Sequence, residues 1–299
     1  MLNVKRSSQF SEHREDFMPY STEISRNNPT CFVFLLDQSQ SMADPFGGGE
    51  GQLRKADILA DVTNRTLRDL VIRSTKAEEI RDYYDIAVMG YGTTSGEVAS
   101  AFVGQLAGKS FAKISEVGEY PARVDNRVKK VPDGAGGLVD QPVRFPIWVD
   151  PSAQQKTPMC AALETVRALV ESWLREHPHC FPPVVLHITD GESTDGDPTT
   201  AARAITALSS TDGNVLLFNC HLSSQRAGSI AYPSDANGLP NEFARALFEM
   251  SSIMPAEFRK IASETGLNIV EGSRGFVFNA DPTALIQFFD IGTRPANLR

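Results

Sequence analysis

The sequence predicts an α/β fold: a doubly wound, mostly parallel central sheet of about six strands, one of them an antiparallel edge strand, with helices on both faces and a β-hairpin insertion. Two observations predict it. Short, near-continuous apolar runs recur at 32–36, 84–91, 184–189 and 214–221, and strands that lack polar alternation are strands covered on both faces. Between them lie longer stretches whose apolar residues repeat at helical spacing, so strand and helix alternate along most of the chain.

In order, residues 1–29 are polar and irregular, end in Asn27-Asn28-Pro29, and are expected to form an arm. Residues 30–299 are expected to be one domain with insertions at about 103–150 and 222–241. The first strand stops at Asp37, and the three glycines Gly47–Gly49 make a flexible connection to a helix over 53–74. There Ala56, Leu59, Val62, Leu67 and Leu70 form the buried stripe. A strand at 84–91 is followed by a short one at 98–102, expected to pair antiparallel at the sheet edge. The stretch 103–150 is rich in Gly and Pro, and its alternating segments 122–131 and 143–149 predict one or two β-hairpins near the binding face. Insertions at such an edge tend to carry specificity. Thr157-Pro158 opens a helix with Met159, Leu163, Val166, Val170 and Trp173 on its buried face. After the strand at 184–189 come an Ala-rich helix over 200–210, a strand at 214–221, and helices at 242–250 and 256–265. A short strand at 275–279 and a helix over 282–289, capped by Asp281, complete the pattern.

The chain of 299 residues is long enough for a full core. At 41% hydrophobic and 22% charged it reads as globular. A net charge of −8 argues against general nucleic-acid binding and against docking on an anionic membrane. Residues 1–20 contain Lys5, Arg6, His13, Arg14, Glu15 and Asp16 without an apolar core, unlike a signal peptide, and no run approaches a membrane-spanning length. Cys31, Cys160, Cys180 and Cys220 are scattered, mostly in apolar contexts, as expected of reduced, buried thiols in a cytoplasmic protein.

The chemistry begins where the first strand ends. Asp37, Ser39 and Ser41 place oxygen-bearing side chains at alternate positions beyond a strand's carboxyl end, where ligands commonly bind in open α/β sheets. A carboxylate and hydroxyls, without imidazole or thiol, suit a small hard cation. This Asp-x-Ser-x-Ser segment resembles the first motif of the metal-ion-dependent adhesion site of the von Willebrand factor A (vWA) family. That family's other two motifs have matches in order: Thr157 in Lys-Thr-Pro-Met, and Asp190 in Ile-Thr-Asp-Gly. The resemblance covers roughly residues 30–290. It is similar to the bacterial single-domain vWA proteins of tellurium-resistance and stress clusters. It implies that Ser39, Ser41 and Thr157 coordinate Mg²⁺ (with Mn²⁺ or Ca²⁺ as alternatives) directly, while Asp37 and Asp190 hold its waters and supply charge. It further implies a protein partner that offers an Asp or Glu to the ion. Gln38 and Gln40 depart from the family's common Thr and Gly, and Gln40 narrows the expected approach.

Three other groups invite a ligand reading. Glu192, Asp195 and Asp197 suggest a second cation but read better as a solvated acidic turn, with Asp197 as a helix cap. His177, His179 and Cys180 lack the fourth ligand of a zinc site and read as a helix terminus. His187 and His221 lie within buried strands and read as satisfied core residues. Two further readings stand beside the interaction module. One is a Mg²⁺-dependent phosphoryl-transfer or hydrolytic enzyme, which needs a second carboxylate and a lysine that the segment 37–41 does not supply. The other is a vWA scaffold that works without metal.

Overall fold

The computed structural model describes residues 19–46, 53–93, 97–132, 137–222 and 228–294. The triple glycine 47–49, the residues before 19 and part of the second insertion lie outside them. The central sheet contains β1 (Thr30–Asp37), β2 (Tyr84–Tyr91), β3 (Ala99–Ser100) and β4 (Ala112–Lys113). A separate hairpin pairs β5 (Arg123–Pro132) with β6 (Leu138–Ile147). The sheet continues with β7 (Val184–Thr189), β8 (Leu216–Leu222), β9 (Ile230–Ala231) and β10 (Phe276–Ala280). Its helices are α1 (Lys55–Ser74), α2 (Ile114–Glu119), α3 (Met159–Glu176), α4 (Thr199–Thr206), α5 (Glu242–Met250), α6 (Ala256–Glu264) and α7 (Pro282–Gly292).

Across the sheet the order is β9-β10-β8-β7-β1-β2-β3, and β4 also pairs with β2. The pairs among β10, β8, β7, β1 and β2 are parallel, whereas β3, β4 and β9 run antiparallel. The six expected strands are present, and their chain order read across the sheet is 3-2-1-4-5-6, the doubly wound arrangement. The connections reverse direction between β1 and β7, which opens a crevice at the carboxyl ends of those two strands.

Every residue of β1 is buried, and its alternation divides the core. Phe32, Phe34 and Leu36 face a layer holding Leu59, Val62 and Leu67 of α1, Phe258 of α6 and Phe289 of α7. Cys31, Val33 and Leu35 face Leu163 and Val166 of α3, Ile205 of α4 and Phe248 of α5. Removing one such side chain from either layer costs on the order of 2–5 kcal/mol, transfer and cavity together.

Two features exceed the expected outline. β4 and β9 are two-residue strands, too short to leave an alternation in the sequence. The first insertion contains both α2 and one hairpin of ten residue pairs, from Arg123↔Ile147 to Pro132↔Leu138. Its base is fixed to α1 by Asn64. The Asn64 Oδ1 accepts the Trp148 and Val149 N–H groups at 2.8 and 3.0 Å, and its Nδ2 donates to the Val149 carbonyl at 2.8 Å. The described end of the arm is docked: Ile24 is buried, and the Ser21 and Thr22 N–H groups donate to the Asp212 carboxylate at 3.0 Å. All four cysteines are free thiols. Cys31, Cys180 and Cys220 are buried, and Cys160 is partly so.

Candidate metal centre

The carboxyl end of β1 delivers Asp37 into the crevice fully buried. Its Oδ1 accepts the Ser39 N–H at 2.8 Å and its Oδ2 accepts the Thr189 hydroxyl at 2.7 Å. Burial, and then the charge of Asp190, raise its pKa from 3.8 to about 6, against the opposing effect of those hydrogen bonds. Beyond Ser39 the chain enters a 3₁₀ turn, Gln40–Ala43, which curls Ser41 back towards Ser39. Their hydroxyl oxygens lie 3.1 Å apart. Ser41 then donates to Asp190 Oδ1 at 2.7 Å, joining the ends of β1 and β7.

Thr157 arrives on a loop fastened to the same turn. The Gln40 N–H donates to the Gln155 carbonyl at 2.7 Å, and the Gln154 N–H donates to the Gln38 carbonyl at 2.8 Å. Gly92 lies at this junction with φ +88°; a Cβ there would come within 2.8 Å of the Ser39 nitrogen and 2.7 Å of the Lys156 carbonyl. On its other side Thr157 is tied to the loop after β7: its N–H donates to Thr194 Oγ1 at 3.1 Å, and its carbonyl accepts the Thr194 N–H at 2.9 Å. No hydrogen bond among the described residues engages its hydroxyl. Hydrogen bonds thus join Asp37, Ser39, Ser41 and Asp190, and the loop that carries Thr157 is tied by its backbone to the segments on either side.

The sequence reading missed Lys55. It is the first residue of α1, it is 2% exposed, and its ammonium donates to Asp190 Oδ2 at 2.6 Å and to the Ser41 carbonyl at 3.2 Å. The exposed Asp44 carboxylate reaches this ammonium at 3.9 Å. A signal for Lys55 existed: it occupies the same helical phase as the buried Leu59 and Val62, four and seven residues on. Thr189, which fixes Asp37, was read only as the strand residue preceding Asp190.

Asp37, Asp190, Ser39, Ser41 and Thr157 carry only oxygen donors, the ligand chemistry that Mg²⁺ takes. Lys55 already compensates one of the carboxylates. Among the described residues no group of three or more His, Cys, Asp or Glu gathers as a metal cluster. The acidic turn has structural work: the Asp195 carboxylate accepts the Cys160 and Ala161 N–H groups at 3.0 and 2.9 Å at the start of α3, and Asp197 Oδ1 accepts the Thr199 N–H at 3.0 Å at the start of α4. His177 stacks on Trp173, with ring centroids 4.1 Å apart, and its Nδ1 lies 3.0 Å from the Trp173 carbonyl; His179 instead approaches Thr211. His187 contacts the Tyr91 hydroxyl and Asn219 Oδ1, both at 2.8 Å, and Asn219 donates to Ser251 at 2.9 Å. Burial lowers the His187 pKa to about 4. His221 stacks on Phe278 and falls to about 4, also mainly through burial.

No protein-family model matches the sequence, and no curated protein does. Among solved structures, the chain is similar to the vWF domain of the type V pili tip protein Mfa5 from Porphyromonas gingivalis. That likeness has 14% identity and a TM-score of 0.29, and covers 56% of this chain and 39% of that one. It is also similar to the pilus adhesin RrgA from Streptococcus pneumoniae, at 15% identity and a TM-score of 0.29, over 57% of this chain and 21% of that one. The chain therefore spans well under half the length of either neighbour.

Proposed function

We propose that this chain is a vWA-type interaction module, one domain over residues 30–299, that holds Mg²⁺ at Asp37, Ser39, Ser41, Thr157 and Asp190 and docks a carboxylate of a protein partner there. One observation carries the reading: three motifs far apart in sequence meet at the switch point of a doubly wound sheet, with Ser41 bonded to both Ser39 and Asp190. When bound, the ion supplies an electrophilic position for an incoming Asp or Glu. The protein's own part is to orient hydroxyls, exclude bulk water from Asp37 and hold its charge in place. Binding without turnover is the better fit, because both Asp37 oxygens are engaged and the side chain is buried. Asp190 and Lys55 do supply the second carboxylate and lysine that the segment 37–41 lacks. Even so, Asp37 is fully buried with each oxygen held in a hydrogen bond, which places it poorly for attack on phosphorus. The free thiols favour a cytoplasmic setting within a multiprotein system.

The Lys55–Asp190 pair supports a second reading, a metal-free scaffold in which the ammonium is the permanent cation. Water-proton relaxation of the Mn²⁺-treated protein separates the two. An interaction module gives enhanced relaxation that added acetate reduces by displacing coordinated water. A metal-free scaffold gives no enhancement over free Mn²⁺.

A further inference from the structure

The hairpin β5–β6 lies against α1 and encloses a cleft of about 690 Å³. Five cations line it, Arg65 and Arg68 from α1 and Arg127, Lys129 and Arg144 from the hairpin, with Asp61 the carboxylate in the lining. In a chain of net charge −8 this is a local reversal of sign. Internal pairing covers only part of it. Arg127 bonds to Asp61, and Arg65 and Arg68 share Asp69, at 4.0 and 3.0 Å. Lys129 and Arg144 are exposed and have no ion pair among the described residues.

The cleft is held in shape. Phe145 forms its floor at 6% exposure, with the Arg127 guanidinium 3.7 Å and the Arg68 guanidinium 5.7 Å from the ring centroid. Arginines stacked this way keep their N–H edges available for carboxylates while losing little freedom on binding. Asn64 locks the base of the hairpin to α1. Apolar surface flanks the charge: Val128 and Leu138 are each 65% exposed, and Val139 is 48%.

We infer that this cleft is a docking site for an acidic polypeptide segment that alternates carboxylates with apolar side chains. The cations would take the carboxylates, and Val128 with its exposed neighbours would take the apolar residues. A nucleic acid fits poorly: the overall negative charge opposes a long polyanion, and the ring that would stack a base is covered by Arg127. The site stands apart from the metal reading, since none of its residues belongs to the metal centre.

The test is fluorescence anisotropy in EDTA, so that no metal-bridged contact contributes. The probe is a fluorescein-labelled peptide of alternating glutamate and leucine, at low and physiological salt. Lys129→Glu/Arg144→Glu reverses two charges that make no internal ion pair. Lys260→Glu, an exposed cation on α6 outside the cleft lining, is the control, and thermal melts confirm that each variant is folded. We expect saturable binding that weakens with salt, falls at least about tenfold in the double variant and changes less than about twofold in the control. Absence of binding, equal affinity in the double variant, or preference for an oligonucleotide or polyphosphate over the peptide would overturn the assignment.

Discussion

Lys55→Met removes the ammonium that faces Asp190 while keeping most of the side-chain volume. Both side chains are essentially excluded from solvent, at 2% and 0% exposure, and the pair is 2.6 Å apart. Removing one member of a buried ion pair costs ~3–5 kcal/mol, because the other charge is left without compensation. The lower end applies here, ~3 kcal/mol, since Asp190 still accepts the Ser41 hydroxyl at 2.7 Å. At ~2–4 °C per kcal/mol for a chain of this size class, the metal-free variant should melt ~6–12 °C below the wild type. If a divalent ion binds at this rim, it replaces the missing charge. Saturation at about a hundred times Kd contributes ~2.7 kcal/mol and nearly offsets the loss. Wild type, which must hold the ion beside an ammonium, should gain less. Differential scanning calorimetry of chelator-stripped proteins with and without Mg²⁺ reads all four states. A variant melting within about 2 °C of wild type without metal would show that the ion pair stabilises little. A large loss that Mg²⁺ leaves unrepaired would show that the ion does not take up this charge.

The remaining expectations concern pH and the hairpin. Asp37 keeps its proton up to about pH 6 in the fold and only to 3.8 when exposed, so stability falls as pH rises through that window, by ~3 kcal/mol in all. His187 and His221 act in the opposite sense: held neutral down to about pH 4, they lose stability as pH falls from 6.5 towards 4. Asp37→Asn should therefore stabilise the metal-free protein at pH 7 and steepen its loss of stability on acidification. Urea melts across pH 4–7 measure both, and an unchanged pH profile would contradict the assignment. Asn64→Ala removes three hydrogen bonds at the hairpin base and should cost ~1–3 kcal/mol, with faster amide exchange concentrated at Trp148 and Val149; uniform exchange changes would place the effect elsewhere.

Much of this arrangement was legible in the residues because strong local signals agreed with the topology. The apolar run 32–36 and the helical stripe of 159–173 are long and unambiguous, and the strand ends carry the motifs. The antiparallel edge strand at 99–100 followed from its position after β2. What stayed hidden depended on long-range contact. In the sequence Lys55 is one of several charges among the apolar positions of a helix, and only the fold shows its ammonium turned inward to meet Asp190, 135 residues away. Thr189 and Asn64 are likewise ordinary in sequence and important only through partners brought to them. The hairpin was expected from its alternation, but its cationic face is composed jointly with α1, so no local pattern announced the cleft.

The most direct measurement is isothermal titration of Mg²⁺ into chelator-stripped wild type, Lys55→Met and Ser39→Ala/Ser41→Ala. The account predicts one saturable site in the wild type, tighter binding in Lys55→Met, and none in the double serine variant despite an intact fold. Failure of both wild type and Lys55→Met to bind, or binding undiminished without the two hydroxyls, would contradict it.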